Sequence, residues 1–97
     1  MTRSARKVDG NHGEIRDSLR RIPGVRVQDV SAASGLGFDL IARYQDAPPL
    51  FLEVKNGSGL TDSEKRARAM YGEYWHRVTT FEEALAALGI STERAPF

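Results

Sequence analysis

The sequence predicts a single small α/β domain, a mixed sheet flanked by helices in the order αβββαβα. Apolar residues recur at helical spacing in Ile15, Leu19 and Ile22, in Ala67, Met70, Tyr71 and Tyr74, and in Leu85 and Leu88. Short strand-like runs, separated by turn signals, cover 25–30, 38–44, 50–55 and 74–79. A chain of 97 residues has room for one hydrophobic core.

The elements follow in order. Residues 1–10 are expected to be a flexible basic arm, 11–90 the folded domain and 91–97 a tail. The first helix is expected from Asn11, as N-cap, to Ile22, with Pro23-Gly24 ending it. Val25 to Val30 alternates as a half-buried strand, and Ser31 to Gly37 is a loop. Phe38 to Tyr44 is the second strand, Asp46 to Pro49 a turn, and Leu50 to Lys55 the third strand, ending at a Gly-containing loop over 56–59. Thr61 and Glu64 have capping-box spacing and open a second helix, with Gly72 near its end. A short strand from Tyr74 to Thr79 follows. Thr80 and Glu83 repeat the capping-box spacing before a last helix that Gly89 closes.

Composition removes several function classes. The hydrophobic fraction of 40% is ordinary for a globular protein. With no cysteine, disulfide scaffolds, thiol catalysis, zinc ribbons and iron–sulfur clusters are excluded together. No apolar run approaches the ~18 residues of a membrane span, and the basic start lacks a following apolar stretch. A cytoplasmic protein with no membrane partner is therefore expected. The net charge of +1 excludes a strongly basic or strongly acidic protein. It is unevenly spread: residues 1–26 carry seven Lys or Arg against three acids, and 27–97 carry seven against ten.

The chemistry lies in charges placed inside apolar strands. Side chains alternate along a strand, so Phe51, Glu53 and Lys55 share one face and Leu50, Leu52 and Val54 the other. Asp39 stands in a similar setting between Phe38 and Leu40. If the second and third strands pair as a hairpin, Asp39 and Glu53 approach each other. Two carboxylates close together in a partly buried site resist joint ionisation, and a bound cation relieves them. Hard oxygen ligands favour Mg²⁺. A nearby Lys55 can orient or deprotonate an attacking water, or stabilise charge developing on a phosphate. That combination suits metal-dependent phosphodiester cleavage. The same residues also allow a plain ion pair, Glu53 with Lys55, and a carboxylate satisfied at a loop end, Asp39.

At these residues the chain resembles the PD-(D/E)xK nuclease superfamily, and within it the virus-type replication-repair nuclease domains. The matching pieces are Gly37-Phe38-Asp39-Leu40-Ile41, Phe51-Leu52-Glu53-Val54-Lys55, Leu60-Thr61-Asp62-Ser63-Glu64-Lys65, and the stretch from Arg77-Val78 through Phe81 to Leu85. The resemblance spans roughly residues 9–89 and implies a restriction-endonuclease-like core with Mg²⁺- or Mn²⁺-dependent DNA cleavage. It implies that Asp39 and Glu53 bind the metal with the Val54 carbonyl, that Lys55 acts on the water, and that Glu14 supplies a further acid. It also implies branched or flapped DNA substrates such as Holliday junctions, and a homodimer. Phe38 stands where the family's name-giving proline would be, and Glu64 where many relatives carry Gln.

Around this set, Glu14 sits about 100° from Ile15 on the first helix, at the edge of its buried stripe. Arg16 and Arg20 on the first helix, and Lys65 and Arg68 on the second, are candidate phosphate contacts or simply solvated charges. His12 and His76 lack partners at ligand spacing and read as structural or surface residues. Tyr74-Trp75 fits a core position better than a base-stacking one. Two other functions stay open: a non-catalytic DNA-binding module on the same fold, and a protein-interaction or assembly domain.

Overall fold

Pro23 and Gly24 turn the first helix back onto the sheet. In the computed structural model, which describes residues 11–57 and 59–91, helix α1 runs His12–Arg20. It stops two residues short of Ile22, because a proline disfavours helical backbone in the residue before it. Ile22 stays buried, and its carbonyl accepts the Val25 amide at 3.1 Å across a turn in which Gly24 takes φ +85°. A positive φ at that position of a Pro-Gly turn is what glycine supplies without steric cost. The arm at 1–10 and the tail residues 92–97 lie outside the described residues.

Four strands follow: β1 (Val25–Asp29), β2 (Leu40–Tyr44), β3 (Leu50–Val54) and β4 (Trp75–Val78). They lie side by side in the order β1-β2-β3-β4. The first three are antiparallel neighbours, whereas β4 runs parallel to β3. A parallel neighbour needs a crossover, here helix α2 (Asp62–Tyr71) and a 3₁₀ turn at Gly72–Tyr74. Helix α3 (Phe81–Ala87) closes the domain. The structure is thus a small α/β domain with a four-stranded mixed sheet and three helices, in the expected order.

Alternation along the strands sorts the core into two faces. On one, Leu40, Ala42, Leu52, Val54 and Val78 pack against Ile15, Leu19 and Ile22 and against Ala84, Leu85 and Leu88. On the other, Ile41, Phe51 and Trp75 meet Ala67 and Tyr71 of α2. Phe38 belongs to this second face, its ring 5.0 Å from Phe51 and 5.7 Å from Tyr71. β2 therefore starts at Leu40 rather than Phe38.

Helix caps follow the sequence closely, with two differences. Thr61 and Glu64 form the expected reciprocal capping box. Thr80 accepts from the Glu83 amide, but the Glu83 carboxylate takes the Thr79 amide, one residue earlier than a capping box requires. Asn11 makes no side-chain cap; its amide donates instead to the Thr79 carbonyl. Gly89, at φ +81°, ends α3 with the Ile90 amide bonded to Leu85 O and its own to Ala86 O, a Schellman closure. Met70 and Tyr74, expected on the buried side of α2, are 76% and 40% exposed. The buried stripe runs through Glu64, Ala67 and Tyr71, and at 100° per residue Met70 lies well off its centre. Among the described residues, no helix is long and apolar enough to cross a membrane.

Candidate functional site

Strand β3 carries the centre of the site. Its register with β2, Leu40 opposite Leu52, places Asp39 just where β2 begins, beside the C-terminal half of β3. The Asp39 amide donates to Leu52 O at 2.8 Å, and its carboxylate accepts the Val54 amide at 3.1 Å. That carboxylate thereby takes the place of a strand carbonyl where β2 leaves β3. Asp39 is held on the backbone between Glu53 and Lys55. Val54 enters the site through its amide, and its side chain lies in the opposite face of the core.

α2 brings the third acid. Its first turn seats Glu64 over β3, with one carboxylate oxygen accepting the Thr61 amide at 2.9 Å and the other the Lys55 ammonium at 3.0 Å. The Glu53 carboxyl lies close enough to Glu64 to help hold it ionised. One residue therefore performs both tasks the sequence left open for it, cap and site member. Asp39, Glu53 and Glu64 are 2%, 2% and 4% exposed, against one partly buried lysine. Burial pushes the Glu64 carboxyl up, but the Thr61 amide, the Glu53 carboxyl and Lys55 more than offset it. The net shift is below the usual carboxylate range.

No protein family, no curated protein and no solved structure matches this chain. The site's chemistry is therefore argued from its own geometry. Every donor in it is a hard oxygen, apart from the lysine, which suits Mg²⁺ or Mn²⁺. Among the described residues, no three His, Asp or Glu side chains are grouped as ligands of one ion. One or two carboxylates with water and phosphate oxygens are the usual surroundings of Mg²⁺.

The remaining candidates fall in different places. Glu14 is exposed and lines a groove of about 400 Å³ between α1 and the start of α3, with Ser18, Thr80 and Phe81 among its neighbours. These helices cover the sheet face opposite α2, and Glu14 is not gathered with Asp39 and Glu53 into a metal-ligand group. Arg16 is engaged inside the protein, with Nη1 2.8 Å from Asp29 and Nε 2.8 Å from Asp17. Arg20 reaches the Val27 carbonyl. Lys65 and Arg68 are exposed and line a second groove with Leu60 and Ala69. Trp75 is 7% exposed and donates its indole N–H to Gly37 O at 2.8 Å, a core role. His12 is buried with Nε2 3.7 Å from Asp29, and His76 is half-buried on β4. Arg77, noticed in the sequence only as part of a closing motif, stands in register with Glu53 on β4. Its spacing from Trp75 gives its face, but parallel register has no signal in a single sequence.

Asp29 anchors the loop that leads into Asp39. Its carboxylate accepts the Ser31 hydroxyl and amide at 2.6 and 2.9 Å and Arg16 at 2.8 Å. Burial pushes this carboxyl up, but those bonds overcome it and hold it at about 2. A folded-state value below the unfolded one, roughly 3.9, stabilises the fold above that pH and is lost as pH falls toward the folded value. Asp29→Asn is thus expected to melt several degrees below the wild type at pH 7, with the gap closing between about pH 4 and pH 2. Melting curves at both ends of that window check it; an equal gap at each pH contradicts it.

Proposed function

We propose that this chain is a metal-dependent nuclease that hydrolyses phosphodiester bonds of DNA, on a core of the restriction-endonuclease type. The substrates are branched or flapped structures such as Holliday junctions, and the working form is a homodimer. The reading is supported above all by three buried acids at one end of the sheet: Glu64, paired with Lys55, Glu53 on β3, and Asp39, bonded to the Val54 amide. Burying that acid excess costs stability unless cations offset it.

Asp39 and Glu53 would hold the ion, with Glu64 close by. When bound, Mg²⁺ or Mn²⁺ polarises the phosphate and acidifies its water. Lys55, steered by Glu64, would orient the attacking water and steady charge on the phosphoryl oxygens. The water oxygen bonds to phosphorus, the bond to the leaving oxygen breaks, and the proton given up by the water balances the one the leaving oxygen takes. The closed Lys55–Glu64 pair, at 3.0 Å, also favours a second reading, a DNA-binding module that keeps the fold without the chemistry.

Two measurements test the proposal. Mg²⁺ or Mn²⁺ is expected to raise the melting temperature of the wild type and not that of the Asp39→Asn, Glu53→Gln double variant, since the like charges are gone; equal shifts count against the metal site. Incubation with junction, flap and duplex DNA is expected to give cleavage with metal and none with EDTA. Salt-sensitive binding without any cleavage favours the second reading.

A further inference from the structure

We propose that Arg77 is a phosphate-binding residue of this site, holding a non-bridging oxygen of the DNA strand beside the bond to be cut. The inference rests on the nuclease reading and extends it to a residue outside the set of acids and lysine.

Three observations carry it. In the parallel pairing of β3 with β4, Arg77 is the register partner of Glu53. Partners in register project from the same face, and so do residues two apart on a strand. Trp75, two positions earlier, lies in the cluster under α2, so Arg77 emerges on the α2 side beside Glu53. Unlike Glu53, Arg77 is exposed, which puts its charge at the rim of the buried acids. Finally, its Nη2 donates to the carbonyl of Gly57, just beyond Lys55, so the exposed guanidinium is tied to the loop at the end of β3.

Charge makes the role specific. A phosphate approaching Asp39, Glu53 and Glu64 meets repulsion that Lys55, paired to Glu64 at 3.0 Å, offsets only in part. Arg16 is held by Asp17 and Asp29 on the other side of the sheet. A guanidinium at the rim supplies a cation where the repulsion is felt. Its planar fork grips two phosphate oxygens while one N–H stays on Gly57. The Gly57 bond limits the rotamer freedom lost on binding.

The test measures binding apart from chemistry. Full-length protein carrying Asp39→Asn, alone and with Arg77→Gln or Arg77→Lys, is titrated into a fluorescent four-way DNA junction over a series of salt concentrations. Arg77→Gln is expected to weaken binding roughly tenfold at low salt and to flatten the log–log salt slope by about 0.9, one phosphate contact. Arg77→Lys is expected to restore the slope and only part of the affinity, because it keeps the charge and loses the fork. In the otherwise wild-type enzyme, Arg77→Gln is expected to raise KM more than it lowers kcat. If Arg77 only straps the Gly57 loop, Arg77→Gln lowers the melting temperature and leaves slope and KM unchanged, and the inference is overturned. If the wild type cleaves while the Arg77 variants match it, this inference fails alone; if the wild type neither binds nor cleaves DNA, the nuclease reading fails with it.

Discussion

Lys55→Ala is expected to lower metal-dependent DNA cleavage by about 10³-fold, within the range that a positioned proton-transfer group contributes. The ammonium lies 3.0 Å from Glu64, which also caps α2 and lies beside Glu53. The lysine is thus tied to the acids that would hold the metal, and in the proposed mechanism its loss removes both a charge and the group that would align the water. The fold is expected to survive, because the Lys55 side chain is partly exposed and Glu64 keeps the Thr61 amide. The melting temperature should nevertheless drop in EDTA, since the buried carboxylate has lost its nearest cation, and recover in part with Mg²⁺. Cleavage rates and melting curves on the same preparation separate the two effects. A folded Lys55→Ala protein that cleaves at the wild-type rate contradicts the role given to this lysine.

Gly37→Ala is expected to be the most damaging single-methyl change in the domain. Gly37 has φ +85°, where an L-residue costs roughly 1–2 kcal/mol. An added Cβ would sit 2.7 Å from the Ala67 Cβ and nearer still to the Ser63 carbonyl, so α2 would have to move. Overpacking of that kind adds roughly 1–3 kcal/mol. At about 4–8 °C per kcal/mol for a domain of this size, melting should fall by roughly 10–40 °C. Cleavage should suffer in the protein that remains folded, because the displaced turn of α2 carries Glu64. Gly35→Ala is the control: its φ is also positive, +82°, but no atom lies within 4 Å of an added Cβ. Equal losses in the two variants would show that backbone conformation alone sets the cost.

These expectations mark where the sequence was informative. Order and type of the elements were legible because each depends on local periodicity: Ile15 with Leu19, Leu52 with Val54, and the Thr61–Glu64 cap. The closeness of Asp39 to β3 was legible too, since a hairpin leaves a short list of registers. Contacts made over long stretches of chain were not legible. Asn11 looks like a helix cap and instead reaches Thr79, 68 residues away. Gly37 looks like an ordinary loop glycine until α2 packs onto it. Arg77 acquires its position beside Glu53 only through the parallel register of β4. Glu14 lies beside α3 on the sheet face opposite α2; helix phase says which side of α1 is buried, and not which sheet face the helix covers. Met70 was misassigned because its neighbours fix the stripe of α2 through Glu64, Ala67 and Tyr71.

In the proposed function, the carboxylates buried beside Lys55 would hold a divalent ion that supports hydrolysis of a phosphodiester bond. The most direct measurement is cleavage of a labelled four-way DNA junction by wild-type protein and by the Asp39→Asn, Glu53→Gln double variant, each with Mg²⁺, with Mn²⁺ and with EDTA. Metal-dependent cleavage by the wild type, absent from a double variant of equal fold, is the predicted result. Folded wild-type protein that cleaves with neither metal, or a double variant that cleaves as well as the wild type, would contradict it.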